Sequence, residues 1–320
     1  MRVLFIQLKQ LGDVLMSTPS IRALKKARPG AVIHFLANKN CARAVEAHPL
    51  LEEVIRYDAL SFPALIRLLR RRRYDAVIDM MGTPKTAFIA FLTGAKTRVG
   101  FKKRGRHFFY THAVELSREP VYSALEKGGL LMPLGIPVQD YAMEFHTTPE
   151  DQEEARALIR QLSLKAKGRL IAFSPVSRRD YKMWPLSHYA KACDRLFEKH
   201  KVTFLPLFGP GEEKTVAKVI ALSKHPGAFI FPYKSPSFRA LKTLVRECVM
   251  YFGNDNGIRH IAISAGLPTA AIFGRPDPAF WTPPSDARHR HLWGKEEMGR
   301  ISPEEAVNMV EQVLNEISAV

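Results

Sequence analysis

Short apolar runs alternate with amphipathic stretches along the whole chain. Residues 3–8 (VLFIQL) form an apolar run of strand length, and 17–27 then carries apolar residues at helical spacing and stops before Pro29. An apolar run at 31–36, helical patterns near 41–47 and 62–72, and a second run at 75–80 follow. This alternation predicts βαβ units and a parallel sheet covered on both faces. From 97 to 110 the chain is basic and contains glycine, and it reads as loops and short strands.

The rhythm breaks near 145–150, where Thr148, Pro149 and Glu150 open a helix reaching about 164. Alternation then restarts. Runs at 170–174, 202–208, 228–231, 249–252 and 269–273 predict strands, and 186–200, 212–223, 237–247 and 257–265 predict helices. Pro303 opens a last helix. Two successive sets of βα units predict two Rossmann-like, doubly wound α/β domains. The boundaries are 1–148 and 149–320, and the last helix is a candidate to pack back on the first domain.

Composition narrows the class. With 46% hydrophobic residues among 320, the chain can build real cores. Its three cysteines, Cys41, Cys193 and Cys248, are far apart and form no CxxC pair, which argues against a disulfide framework or a zinc site and fits a reducing compartment. Gln7 and Lys9 interrupt the N-terminal apolar run, so it reads as a buried strand rather than a signal peptide. No uncharged stretch approaches the roughly 20 residues of a membrane span. The formal net charge is +17; residues 1–150 hold 23 Lys and Arg against 13 Asp and Glu. A polyanionic partner is expected: nucleic acid, an anionic membrane surface or a phosphorylated substrate, with a merely solvated basic surface as the alternative.

In open parallel sheets ligands bind where strands run into helix N-termini, so the chemistry is sought in those loops. After the first strand comes Leu8-Lys9-Gln10-Leu11-Gly12-Asp13, with Gly12 for a tight turn and Asp13 as a helix cap or a functional carboxylate. A single glycine makes no dinucleotide fingerprint. The loop 174–185 (SPVSRRDYKMWP) combines hydroxyls, cations and a coming helix start, a combination suited to an anion. The loop 208–215 (FGPGEEKT) lacks the glycine a P-loop needs before its lysine; its glutamates suit ribose hydroxyls or simply a helix start. The loop 252–260 (FGNDNGIRH) suits a diphosphate, although Asp255 is also a candidate cap and His260 a structural hydrogen-bonder. The Pro-rich loop 273–284 shows no chemistry of its own. No DxD pair lies near a strand end, and His289 and His291 lack metal-ligand context.

Three blocks, VLFIQLKQLGDVLMSTPSIRALKKARPGA at the start, KMWPLSHYA at 182–190 and FGNDNGIRHIAISAGLPTAAIFGRPDP at 252–278, resemble the ADP-heptose:lipopolysaccharide heptosyltransferases, glycosyltransferase family 9. The resemblance spans nearly the whole chain. It implies a GT-B architecture, two domains facing across a cleft, and inverting transfer without metal or cofactor. Asp13 would be the general base and Lys182 would hold the donor diphosphate. Ser177, Arg178, Glu213, Asp255, Asn256, Gly257 and His260 would complete the donor site. Lys9, Lys102, Lys103, Arg104 and Arg106 are assigned to the anionic acceptor, because the first domain binds acceptor in that family. Asn256 stands where a Ser or Thr is usual, Arg259 where an uncharged residue is common, and Arg178 at a hydroxyl position.

An inverting transfer needs a base on the acceptor hydroxyl and positive charge on the leaving diphosphate. Asp13, with Lys9 or helix dipoles stabilising its charge, and Lys182 would meet both needs. The expected partners are a nucleotide sugar, ADP-heptose, and a lipopolysaccharide core acceptor. The expected place is the cytoplasm, with peripheral contact at the inner leaflet of the membrane. Two other readings stay open: a nucleotide-sugar epimerase of the same architecture, and a non-catalytic binder of anionic glycan or nucleic acid. The lack of an RNA-recognition motif with interleaved aromatics argues against nucleic acid.

Overall fold

The computed structural model describes residues 1–177, 179–275, 277–284 and 286–318. The chain divides into two compact units, Met1–His146 and Thr147–Val320. In the first, β1 (Arg2–Ile6), β2 (Val32–Ala37), β3 (Glu53–Arg56), β4 (Ala76–Asp79), β5 (Thr97–Phe101) and β6 (His112–Val114) pair in the order β3-β2-β1-β4-β5-β6. Every pairing is parallel. Helices α1 (Leu11–Leu15), α2 (Thr18–Ala27), α3 (Lys39–Ala42), α4 (Phe62–Arg71), α5 (Pro84–Leu92) and α6 (Ser123–Gly128) lie between or after the strands. Coverage on both faces explains why Val3, Leu4, Phe5 and Ile6 are all fully buried in an unbroken apolar run. Strand order reverses between β1 and β4, where Ile6 pairs with Asp79, so this edge is the switch point at which doubly wound folds bind ligands.

Helix α5 lies in a stretch that the hydrophobic pattern leaves unassigned. Its apolar residues fall all round the helix, and Phe88 and Phe91 face solvent, so no stripe marks it. A capping box between Thr83 and Thr86, with Pro84 in the first turn, starts it instead.

In the second unit, β7 (Leu170–Ser174), β8 (Thr203–Pro206), β9 (Met250–Asn254), β10 (Thr269–Phe273) and β11 (His289–Trp293) form a parallel sheet ordered β11-β10-β9-β7-β8. Counted within the unit this is 2-1-3-4-5, the flavodoxin-like winding, with its switch point between β7 and β9. Helices α7 (Pro149–Gln161), α8 (Leu186–His200), α9 (Glu213–Leu222), α10 (Ala240–Val245), α11 (Gly257–Ser264) and α12 (Pro303–Ser318) complete it. The last helix packs on α8, β10 and β11 of its own unit. Phe173, Trp184, Tyr189, Phe252 and Val310 belong to the core beneath it. Two sequence expectations need correction here. Residues 228–231 are not a strand: Phe229 makes only an isolated bridge to Phe204 after a short 3-10 turn. Strand β11 was unforeseen because it is a half-solvated edge, His-Arg-His-Leu-Trp, with few apolar positions.

Strands β7 and β9 leave no room for a side chain where Ser174 pairs with Gly253. A Cβ on Gly253 would lie 2.2 Å from the Ser174 carbonyl oxygen, so only glycine fits there. Gly253→Ala is expected to cost at least about 2 kcal/mol in urea unfolding through overpacking. Gly227→Ala, whose Cβ meets nothing within 4 Å, is the control; equal effects from the two would contradict this account.

Candidate functional site

In the first unit the β1 loop enters α1 through Gln10, a non-glycine residue at φ 64°, a left-handed conformation that costs about 1–3 kcal/mol and is held by its surroundings. Asp13 follows in the first turn but makes no capping hydrogen bond. Its carboxylate is instead held by Lys127 of α6, whose Nζ donates to Asp13 Oδ1 at 2.7 Å and to the Asp13 carbonyl at 2.9 Å. The lysine side chain is 5% exposed and that of Asp13 19%, so the pair is shielded while Oδ2 keeps no hydrogen-bond partner among the described residues. Lys9, expected to stabilise Asp13, is exposed and makes no such contact. A buried ammonium 114 residues away does so instead.

At the end of β4, Asp79 is fully buried, and burial pushes its carboxyl above the usual range. Tyr110 Oη donates to its Oδ2 at 2.6 Å, and the N–H groups of Met81 and Gly82 donate to Oδ1 at 3.0 Å each. These bonds fix the loop that the basic segment touches. Arg106 donates to the Gly82 carbonyl at 3.2 Å, and Lys103 Nζ lies beside Gly82. Arg104 is exposed and Lys102 is paired with Glu115. Of the expected acceptor cations, then, Lys103 and Arg106 reach the switch-point edge. Near them, burial raises the Glu126 carboxyl against the opposing pull of Lys103 and Lys127.

In the second unit the carboxyl ends of β7, β9 and β10 bring the expected donor groups together. Lys182 Nζ lies 3.8 Å from Asp255 Oδ2. Two residues on, Trp184 is fully buried and anchors the loop: its N–H donates to Asn254 Oδ1 at 3.3 Å and its Nε1–H to the Ile301 carbonyl at 3.0 Å. Gly274 packs beneath Lys182, where a Cβ would meet the Tyr181 carbonyl at 3.0 Å. The cap of α11 is Asn256, not Asp255. Asn256 Oδ1 accepts from the N–H groups of Ile258 and Arg259, and its Nδ2 donates to Ser174 Oγ and the Val176 carbonyl. Its side chain therefore ties two loops together and leaves only backbone for a ligand. His260 Nε2 stands 3.9 Å from Asp255 Oδ1. Ser177 Oγ accepts the Arg179 N–H at 3.3 Å. Glu213 is exposed at the start of α9, where Glu212 takes the Gly209 N–H. Arg178 lies outside the described residues.

Sequence reasoning assigned no role to Arg259, noted only as a departure from the family pattern. It is fully buried, 3.5 Å from Asp255, over the Phe273 ring, and donates to the Trp281 carbonyl and Thr282 Oγ1. This explains the Pro-rich loop: a guanidinium ties it to α11. Like Lys127, Arg259 has hydrogen-bond partners remote in sequence, Trp281 and Thr282, and its nearby Asp255 alone does not reveal them.

Among the described residues one group has metal-ligand types within reach, His48, Glu144 and His146, with ligand atoms within 4.8 Å of one another. Its hydrogen bonds point elsewhere. Arg22 pairs with Glu144 Oε1, and His48 Nε2 and His146 Nε2 lie 3.1 and 3.2 Å from Oε2. His48 Nδ1 accepts the Leu50 N–H at 3.3 Å, so the ring presents Nε2–H rather than a lone pair to the carboxylate. The group is an ion-pair cluster joining α2 to the end of the unit.

Two doubly wound parallel units with polar and charged groups gathered at their sheet edges are the fold of the GT-B glycosyltransferases. The model of glycosyltransferase family 9 (heptosyltransferase) matches residues 62–307, and the chain belongs to that family. It is similar to the lipooligosaccharide heptosyltransferase 2 of Haemophilus influenzae, 26% identical over 306 residues, covering 89% of this chain and 87% of that protein. Among solved structures it is similar to a family 9 glycosyltransferase from Veillonella parvula, with TM-score 0.81, 22% identity and coverage of 98% and 97%. It is also similar to the E. coli ADP-heptose LPS heptosyltransferase II, with TM-score 0.77, 20% identity and coverage of 99% of each chain. The chain is thus a glycosyltransferase, and the epimerase and non-catalytic readings are set aside.

The Glu144 cluster makes a pH prediction. The hydrogen bond to His146, the nearby His48 imidazole and the Arg22 pair hold its carboxyl well below the usual range. A depressed folded value means stabilisation that is complete above the unfolded value, about 4.3, and is lost as pH falls below it. Glu144→Gln should cost about 1.5–3 kcal/mol at neutral pH. It should also flatten the acid limb of stability against pH in urea melts. An acid limb identical to that of the unsubstituted protein would remove this role.

Proposed function

We propose that the chain transfers heptose from ADP-heptose to an anionic lipopolysaccharide core acceptor, with inversion and without a metal ion, at the cytoplasmic face of the inner membrane. The observation that carries this reading is the Asp13–Lys127 pair at the switch-point edge of the first unit. Lys127 occupies Oδ1, so Oδ2 is left to act as the base. In the proposed step Oδ2 takes the acceptor hydroxyl proton while that oxygen attacks the anomeric carbon. The bond from that carbon to the diphosphate breaks, and ADP leaves with its electron pair from the opposite side. The charge it gains is met by Lys182 and by the Gly257 N–H at the start of α11, which take the place a metal ion would otherwise fill. Ser177, Arg178, Asp255, Asn256 through its backbone, and His260 complete the diphosphate site, with Glu213 toward the ribose. Lys9, Lys102, Lys103, Arg104 and Arg106 are assigned to acceptor phosphates. Likeness to the E. coli ADP-heptose LPS heptosyltransferase II supports the donor choice, and likeness to the H. influenzae lipooligosaccharide heptosyltransferase 2 supports the acceptor choice.

Asp13→Asn is expected to lower turnover by a factor of about 10² to 10⁴ while ADP affinity holds. The unsubstituted enzyme should keep its rate in excess EDTA. Near-normal turnover of the variant removes Asp13 from the reaction, and loss in EDTA restored by Mg²⁺ contradicts the metal-free step.

Lys182→Ala should weaken ADP binding by about 1.5–3 kcal/mol in calorimetry, the range for a hydrogen bond to a charged group. Unchanged affinity would place the lysine away from the diphosphate.

A further inference from the structure

Aromatic rings gather on the solvent side of α4 and α5. Phe62 stacks on Phe88 with centroids 6.3 Å apart, and Phe109 packs edge-on against Phe88 and Phe91 at 5.9 and 5.7 Å. Phe62, Phe88 and Phe91 are exposed, and Phe108 is 76% exposed. Next to them a shallow groove of about 680 Å³ is lined by Ile66 and Leu92 together with Arg67, Arg70, Arg71 and Arg73. No ion pair joins these four arginines to a carboxylate among the described residues. Residues 59–114 hold twelve Lys and Arg against two acids, Asp75 and Asp79. Asp79 is buried and Asp75 accepts the Arg2 N–H at 2.7 Å, so neither answers the arginines.

A contiguous exposed apolar patch of this kind marks an interaction surface. Its chemistry selects among partners. A second copy docked through the same face by two-fold symmetry would set arginine rows against each other. Single-stranded nucleic acid needs open ring faces for stacking, but these rings pack on one another. An anionic bilayer accepts both features: rings enter the boundary between headgroups and acyl chains, and guanidinium groups meet lipid phosphates.

We propose that the α4–α5 face docks on an anionic phospholipid bilayer, with Phe88, Phe91 and Phe108 inserted and Arg67, Arg70, Arg71 and Arg73 against the phosphates. The purpose rests on the transferase reading above: Lys102–Arg106 runs directly into Phe108 and Phe109, so docking sets the acceptor loop at headgroup level.

The test is co-sedimentation of the full chain, without donor or acceptor, with vesicles of phosphatidylethanolamine and phosphatidylglycerol or of phosphatidylcholine alone. Binding is expected to the first and to fall as salt rises. The triple variant Arg67→Ser, Arg70→Ser, Arg71→Ser should weaken it by about fivefold per arginine. Phe88→Ser with Phe91→Ser should release the protein from vesicles while its thermal unfolding stays cooperative and its ADP affinity unchanged. Phe88→Trp, the only tryptophan that the first unit would then contain, should be quenched by brominated lipid. The proposal is overturned if both multiple variants bind vesicles as before, or if the new tryptophan is not quenched. It is equally overturned if the double phenylalanine variant abolishes a concentration-dependent dimer or an RNA complex instead. Turnover on an acceptor freed of its lipid separates the two readings. Absence of vesicle binding by the unsubstituted chain with that turnover intact sinks the docking surface alone, whereas vesicle binding without turnover on either acceptor supports docking and sinks the transferase reading.

Discussion

A parallel strand must be carried back to the same end of its sheet before its successor can pair, so every strand-to-helix turn gathers at one edge. In the second unit this constraint is tightest where Ser174 of β7 faces Gly253 of β9. The backbones come so close that the next polar residues must share one small volume. Asn256 resolves the crowding by capping α11 and bonding to Ser174 and Val176 at once. Asn254 does the same for the next turn through the Trp184 N–H. Lys182 is positioned by this framework, two residues before a buried indole, and by its own approach to Asp255 at 3.8 Å.

The first unit solves a related problem with charge. A buried ammonium is costly unless a partner carboxylate stands against it. Lys127 meets that condition because α6 packs beside α2 and its lysine reaches back to Asp13 of α1, so the ion pair ties α6 to the first loop. Because Lys127 also binds the Asp13 carbonyl, rotation of the carboxylate is restricted and one oxygen is committed. On the proposed reading, with Asp13 as the base, this pre-orientation costs nothing further at the moment of reaction.

Most of the βα alternation was legible because parallel strands buried on both faces read as unbroken apolar runs, as β1 and β7 do. The loops holding Asp13, Lys182 and Asp255 were legible for the same reason, since the edge that carries chemistry follows from the strand ends. What escaped had no local signature. Edge strand β11 is half polar, and α5 is apolar on every side, marked only by its Thr83–Thr86 cap. Lys127 and Arg259 draw their roles from partners that only the folded chain brings near. Capping propensity also misdirected one residue, because Asp255 and Asn256 are equally good caps by type and only backbone geometry chose the asparagine.

Net charge alone describes this protein poorly. In the second unit many surface cations sit against carboxylates, as Arg288 does with Asp286, Arg300 with Glu297 and Arg290 with Glu316. Such pairs largely cancel beyond a few ångströms and contribute little to stability or to the long-range field. Between residues 59 and 114 twelve Lys and Arg stand against two acids of the same stretch, and Arg72 with Glu53 and Lys102 with Glu115 are the ion pairs that cancel any of them among the described residues, so the fields of the rest add. A field of that kind acts at distances up to about 8 Å at physiological salt, before any ring or hydroxyl makes contact. It therefore reaches further than the short-range hydrogen bonds of Asp13 and Asp79 at the ends of β1 and β4. Within this basic unit Asp13 has a single shielded ammonium as its own partner, and among the described residues no ion pair joins it to the exposed arginines of α4.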